Sequence, residues 1–249
     1  MKEVVEKLKK AKNVVVLSGA GISKASGIPT FRGKDGLWKN YDATQLATPS
    51  AFKKDPKLVW EWYNWRRSII IKAKPNPAHT ACVELEKMYK DGFSLITQNV
   101  DGLHRLAGSH FIYELHGNIW QTRCISCGKI EEERKVYEED ELPPKCKDCG
   151  ELLRPHIVWF GEMLPQDVLQ EALSASRNAD VLLSIGTSGV VQPAASIPLI
   201  AKESGAYVVE LNVEKTPNSP FMDKVIIEDV TESLPQLIEM LKKNEEETS

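Results

Sequence analysis

Four of the five cysteines stand in two close pairs, Cys124/Cys127 and Cys146/Cys149, while Cys82 stands alone. Cys-x2-Cys, eighteen intervening residues, then Cys-x2-Cys is the spacing of a four-thiolate zinc site. Each pair makes a tight knuckle, and Gly128 and Gly150 directly after the pairs relieve the turns. Four thiolates close a tetrahedral shell and leave no position for a substrate, so the implied metal is structural. Secreted disulfide scaffolds are usually shorter and denser in cysteine, which favours metal over two disulfides. Cys82 falls on the apolar face of an expected helix and reads as a small buried hydrophobe.

A second set of chemically capable residues lies where short apolar runs end. Val14–Leu17 runs into Ser18-Gly19-Ala20-Gly21-Ile22-Ser23. Glycines between a strand and a helix let the backbone approach a pyrophosphate, with the helix N-terminus facing its charge. The full dinucleotide fingerprint would place a third glycine at Lys24 and an acid at the end of the next strand, and neither is there. A tight turn therefore accounts for these glycines nearly as well. Thr97-Gln98-Asn99-Val100-Asp101-Gly102 offers amides and a carboxylate, or simply a turn whose side chain caps the next helix. Gly186-Thr187-Ser188 and Asn212-Val213-Glu214 add hydroxyls, an amide and a carboxylate. Parallel strands put their C-terminal ends on one edge, so these groups are expected to converge on one ligand. His116 follows Glu114-Leu115 at a strand end and is the candidate base. His79, at a helix start, His104 and His110, flanking a helix, and His156 read as packing or surface residues.

The elements that must position these groups follow from periodicity. Runs at 14–17, 93–96, 112–115, 181–185 and 207–211 are nearly continuous in apolar residues, as in a parallel sheet covered on both faces. Helical stripes lie between them: Val4, Val5, Leu8 and Ala11, then Val168, Leu169, Ala172 and Leu173. Asn76-Pro77 before Cys82, Leu85 and Met88 reads as a cap, a first-turn proline and a buried face. The expected fold is α/β, a doubly wound, Rossmann-like parallel sheet, with a smaller domain beside it. Residues 1–33, 76–120 and 155–249 are assigned to the sheet domain. A helical insertion at 34–75 and a ribbon at 121–154 are assigned to the smaller one. The acidic runs Glu131–Glu133 and Glu138–Glu141 read as solvated faces.

Composition narrows the function. With 42% hydrophobic and 27% charged residues the chain is ordinary for a globular protein. A net charge of −3 and an acidic ribbon argue against nucleic-acid binding, which needs a basic face. No apolar run approaches the roughly 20 residues that span a bilayer. The charged N-terminus lacks a signal-peptide core, which predicts a cytoplasmic location and no membrane partner.

Taken in order, the motifs resemble those of the sirtuin family. The resemblance runs from Gly19-Ala20-Gly21-Ile22-Ser23, Ser26-Gly27-Ile28-Pro29 and Phe31-Arg32-Gly33 through Thr97–His104, Leu115-His116-Gly117 and the cysteine quartet. It continues through Phe160-Gly161-Glu162, Gly186-Thr187-Ser188 and Asn212-Val213-Glu214 to the final helix. It implies an NAD-dependent protein-lysine deacylase with NAD as cosubstrate and one structural zinc ion. NAD phosphates would lie near Gly19, Ala20, Gly21 and the backbone at Thr187 and Ser188, with Ser23 and Gly186 also among the cofactor-binding residues. Asn212, Val213 and Glu214 would face the adenosine, with Val230 lining the adenine pocket. Phe31 and Arg32 would belong to a loop shielding the nicotinamide ribose, and Gln98, Asn99, Val100 and Asp101 would shape the nicotinamide pocket. The implied catalytic set is His116, Asn99 and Asp101, with His116 as general base on a ribose hydroxyl. Products would be nicotinamide, free lysine and an O-acyl-ADP-ribose.

Acyl-lysine proteins or peptides are the implied partners, chromatin proteins among the candidates. The peptide would add as a strand between 158–162 and 189–191, touching Val158, Phe160, Gly161 and Val190. Within Trp60–Arg67, Tyr63 and Arg66 resemble the Tyr-x-x-Arg motif of the sirtuin class that removes succinyl, malonyl or glutaryl groups. Arg66 and the Tyr63 hydroxyl would then receive the acyl carboxylate, and Ala47 would leave room for its chain. The plainer reading is an aromatic helix on which Arg66 pairs with a nearby acid. ADP-ribosyl transfer or NAD hydrolysis in the same pocket, and a non-catalytic sensor, are the rival functions.

Overall fold

The structure is a computed structural model that describes residues 1–29 and 43–246. Its first elements are α1 (Lys2–Lys10), β1 (Val14–Ser18), α2 (Gly21–Lys24), α3 (Ala43–Leu46), α4 (Pro49–Lys54) and α5 (Pro56–Ile70). They are followed by α6 (Pro77–Tyr89), β2 (Phe93–Thr97), α7 (Leu103–Ala107), β3 (Ile112–Glu114), β4 (Gly117–Cys124), β5 (Ile130–Glu132) and β6 (Leu153–Ile157). The last are α8 (Gln166–Arg177), β7 (Val181–Ile185), α9 (Ile197–Glu203), β8 (Tyr207–Asn212), β9 (Lys224–Ile227) and α10 (Val230–Glu246).

Six strands make one all-parallel sheet in the order β3-β2-β1-β7-β8-β9. The pleat divides its side chains between two cores. Val14 and Val16 of β1 join Leu95, Leu183, Val209 and Leu211 against α1, α6 and α10, through Leu8, Leu85 and Leu237. Val15 and Leu17 join Ile96, Leu182 and Val208 against α8 and α9, through Ala172 and Ala201. Burial on both faces is why these strands carry no polar alternation. Chain direction across the sheet reverses between β1 and β7, so the ligand-binding crevice of such a fold lies outside the C-terminal ends of those two strands. Helix α6 starts as expected: the Asn76 side chain accepts from Ala78 N at 3.0 Å and Pro77 occupies the first turn. The Asn76 amide also donates to Ile22 O at 2.7 Å, tying the cap to α2.

Beside the sheet, α3–α5 pack on the antiparallel sheet β5-β4-β6. Their shared core is aromatic, with Trp60, Trp62 and Tyr63 of α5 against Trp120, Leu153 and Trp159. Polar pins fix the register. Trp60 Nε1 donates to Leu153 O at 2.7 Å. The Asn64 side chain exchanges two 2.8 Å bonds with the Tyr137 backbone. Arg67 is fully buried, donates from Nε to Ile119 O at 2.9 Å, and lies within 5.1–5.6 Å of the Trp60, Trp120 and Tyr137 ring centres.

All five expected strands form, and Cys82 is fully buried. Four further strands appear that the pattern did not announce. β9 is an edge strand of four residues, and β5 has three. β4 shifts register between Gly117 and Thr122, which breaks its alternation. β4 and β6 extend to either side of residues 120 and 154, so the small sheet begins directly after His116. His104 lies inside α7 rather than at its flank, because Gly102 in the left-handed region starts the helix one residue earlier.

Candidate active site

At the end of β1 the backbone turns into α2 so tightly that two loops interlock. Gly19 N donates to Ile185 O at 3.1 Å and Gly21 N to Gly186 O at 2.7 Å. A Cβ on Gly21 would sit 2.6 Å from Gly186 O, and one on Gly186 2.6 Å from Ile22 N. The glycines are thus required by contact between the β1 and β7 ends, whatever binds above them. Ser18 and Thr97, at adjacent strand ends, share a 2.8 Å bond, and Ser18 Oγ meets His104 Nε2 at 2.9 Å beneath them.

The β2 end folds over this platform. Asn99 Nδ2 donates to Gly19 O at 3.0 Å. Asp101 accepts from Ser23 Oγ at 2.8 Å and from Leu103 N at 2.8 Å. Burial raises the Asp101 pKa, and those two bonds together with the nearby Arg66 charge oppose the rise. Gln98 Nε2 donates to Thr187 Oγ1 at 2.8 Å, and Asn212 Nδ2 donates to Thr187 O at 2.9 Å. Side-chain bonds to backbone thus join the β2 end to β1 and the β8 end to β7, and the Gln98–Thr187 side-chain pair links the two halves across the switch point.

His116 stands half-buried just past β3, with Nδ1 2.9 Å from the Gln98 carbonyl. A carbonyl oxygen only accepts, so Nδ1 carries the proton and Nε2 is the free basic nitrogen. Burial lowers the ring's pKa below its ordinary value, opposed by the Gln98 bond, so the neutral form dominates near pH 7. Gly117, at φ +78°, lets the chain leave β3; a Cβ there would lie 2.2 Å from His156 O. The turn also places His116 O to accept from Val158 N at 3.0 Å, so the base adjoins the 158–162 segment.

That segment is held from below. Arg154 makes a two-pronged ion pair with Glu162, at 2.6 and 2.8 Å, and stacks 3.5 Å from the Trp159 ring centre. Glu162 Oε2 also accepts from Trp159 N at 2.9 Å. Phe160 N donates to Ala47 O at 2.9 Å, and Trp159 Nε1 donates to the Tyr63 hydroxyl at 2.8 Å. Burial pushes the Tyr63 pKa up, which keeps the phenol protonated and able to donate. It lowers that of Arg66, offset by the adjacent Tyr63 and Asp101.

Of the residues singled out in the sequence, the structure thus gathers Gly19, Gly21, Ser23, Gln98, Asn99, Asp101, His116, Thr187 and Asn212 around the switch point. Ala20, Val100, Gly186 and Ser188 lie between them in the chain. Val213, Glu214 and Val190 are exposed on the same edge, and Gly161 is exposed beside Phe160. Val230 is buried at the start of α10, in the core shared with Ile22 and Leu211. Phe31 and Arg32 lie outside the described residues.

Residues 19–193 match the model of the Sir2 family. The chain belongs to the Sir2 family. A relative from Aquifex aeolicus, an NAD-dependent protein deacylase, is 52% identical over 93% of this chain and 96% of its own. A Sir2 homologue mutant in complex with 2′-O-acetyl ADP ribose superposes with a TM-score of 0.93 at 46% identity, over 98% of this chain and 97% of that one. A Sir2 complex with p53 peptide and NAD+ superposes at 0.86 and 37% identity, over 96% and 98%.

In this Sir2-family chain the metal donors also assemble. The four Sγ atoms of Cys124, Cys127, Cys146 and Cys149 lie within 4.8 Å of one another. The Cys127–Cys146 separation of 3.8 Å matches the edge, about 3.8 Å, of a tetrahedron with zinc–sulfur bonds of about 2.3 Å. The set fits a structural zinc ion with no open coordination position. Sequence reasoning passed over Ser18, Arg154, Trp159 and Arg67. An Arg154–Glu162 pair eight residues apart carries no periodic signal. Ser18 was visible only as the polar last residue of an apolar strand.

Proposed function

We propose that this Sir2-family protein is an NAD-dependent protein-lysine deacylase that removes acetyl groups and also acidic acyl groups of the succinyl and malonyl kind. The observation that carries the reading is His116. Just past β3 its Nδ1 donates to Gln98 O at 2.9 Å, which leaves Nε2 free beside the segment that would hold the peptide. When bound, NAD supplies the ribose carbon that the acyl oxygen attacks, with nicotinamide leaving and a ribose hydroxyl taking the acyl group. His116 Nε2 takes the proton of that hydroxyl, and Gln98 O keeps the ring in the tautomer able to do so. Asn99 and Asp101 hold the nicotinamide side, anchored on Gly19 O and Ser23. Backbone at Gly19–Gly21 and Gly186–Ser188 faces the phosphates, and Asn212–Glu214 the adenosine. The peptide lies along Val158–Gly161 and Val190 through backbone bonds. With one water consumed, the products are nicotinamide, lysine and an O-acyl-ADP-ribose. Zinc held by the cysteines keeps the small region folded, away from the chemistry.

The acidic acyl preference rests on Tyr63 and Arg66, on one face of α5, with the Ala47 carbonyl accepting from Phe160 N beside the peptide segment. Nicotinamide release with matched acetyl- and succinyl-lysine peptides tests both levels, comparing wild type with Arg66→Met. Release that requires acyl peptide is expected, and succinyl turnover should fall at least about tenfold in the variant, the cost of one charged hydrogen bond. Release without acyl peptide, or ADP-ribose on protein with no deacylated lysine, would instead support NAD hydrolysis or ADP-ribosyl transfer. Equal losses on both peptides would remove the carboxylate pocket from the reading.

A further inference from the structure

Glu210 on β8 is 2% exposed and belongs to neither the base nor the peptide segment. Its two carboxylate oxygens each accept a short bond from a hydroxyl in the turn beyond β8. Thr216 Oγ1 donates to Oε2 at 2.6 Å and Ser219 Oγ to Oε1 at 2.5 Å. Both hydroxyls are oriented from behind by backbone: Asn218 N donates to Thr216 Oγ1 at 3.2 Å, and Thr216 N to Ser219 Oγ at 2.8 Å. The carboxylate is therefore the acceptor that closes the 213–219 turn.

That turn touches two subsites. Val213 and Glu214, its first residues, leave Asn212 on the adenosine side, with Val213 N donating to Asn212 Oδ1 at 3.0 Å. On the other side Asn218 Nδ2 donates to Ala195 O at 2.8 Å, and a Cβ on Gly189 would lie 3.2 Å from Thr216 Oγ1. The turn thus braces the 187–195 loop that carries Ser188 and Val190. We propose that Glu210 is a positioning residue that sets the adenosine side and the peptide-side loop together, so that its loss weakens both ligands at once. The proposal rests on the deacylase reading for the identity of those ligands. Its physical ground is that removing the carboxylate leaves the buried Ser219 hydroxyl and the partly buried Thr216 hydroxyl without their acceptor.

Affinity for ADP-ribose, measured by calorimetry without turnover, is the primary test. Glu210→Ala is expected to bind ADP-ribose about tenfold more weakly. It should raise KM for NAD and for acyl peptide together, with kcat within about twofold, because the base is untouched. Glu210→Gln, which keeps one acceptor, should fall between. If Glu210→Ala does not fold, Ser219→Ala and Thr216→Val each remove one hydroxyl and should each weaken ADP-ribose a few-fold. A lowered melting temperature with unchanged ADP-ribose affinity and unchanged KM values in these folded variants would overturn the proposal. So would a rise in only one of the two KM values. A wild type that binds ADP-ribose but never deacylates would defeat the deacylase reading, while the ADP-ribose comparison would still decide the role of Glu210. A wild type that does not bind ADP-ribose would overturn both.

Discussion

The parallel sheet and the small region beside it reach a fixed structure by different means. In the sheet, β1, β7 and β8 are lined on both faces by Val, Leu and Ile that helices cover completely, and almost nothing polar is needed to hold the register. In the small region aliphatic side chains such as Val59, Ile70, Ile119 and Leu153 share the core with seven aromatic side chains. To that packing it adds directional pins: indole N–H bonds, a buried guanidinium, an amide pair and four cysteines. Apolar burial is non-directional and tolerates approximate shapes, whereas a buried arginine or a thiolate quartet has one workable geometry. The first region can be repacked residue by residue; the second holds or fails as a set.

Breaking the set tests that contrast. Cys146→Ser should reduce bound zinc from one per chain to near none and give an early unfolding transition of the small region, because structural zinc contributes on the order of 10 kcal/mol to such modules. Unchanged metal content and a single unchanged transition would show that the small region stands on its aromatic core alone. Arg67→Met should cost about 3 kcal/mol in urea unfolding, since it leaves the buried Ile119 carbonyl without its charged donor and empties the three-ring cage. A cost under about 1 kcal/mol would place this arginine on a par with ordinary surface pairs.

The smallest expected effect sharpens the other side, where the sheet positions the base. The acid limb of kcat/KM should lie below pH 6.5, since burial depresses the His116 pKa. The neutral ring is the active form, so activity is complete above the folded pKa and is lost as pH falls through it. An unperturbed imidazole would lose about three-quarters of its neutral fraction at pH 6; this one should lose less. A limb at or above pH 6.5 would contradict the burial of the ring.

The same contrast explains what could be read before the structure. Continuous apolar runs marked β1, β2, β7 and β8, because burial on two faces writes itself into residue type. The cysteine quartet was legible from spacing, and the α6 cap from Asn76-Pro77. Arg66 and Arg67 were not separable by pattern. They are neighbours in the chain, yet a turn of about 100° aims one toward Tyr63 and Asp101 and the other into the ribbon. The small sheet was hidden for a related reason, since β4 changes register partway and its partners are three and five residues long. The polar strand ends announced a ligand edge, but not that Gln98 would hold His116 by its backbone and Thr187 by its side chain.

The interlocked glycines carry a practical consequence for anyone screening variants of this protein. At Gly21 and Gly186 any added side chain meets backbone under 3 Å away. A saturation library would therefore return only the parent residue at both sites. Those dropouts would look like evidence of contact with a nucleotide, when the collision is between two loops of the protein itself.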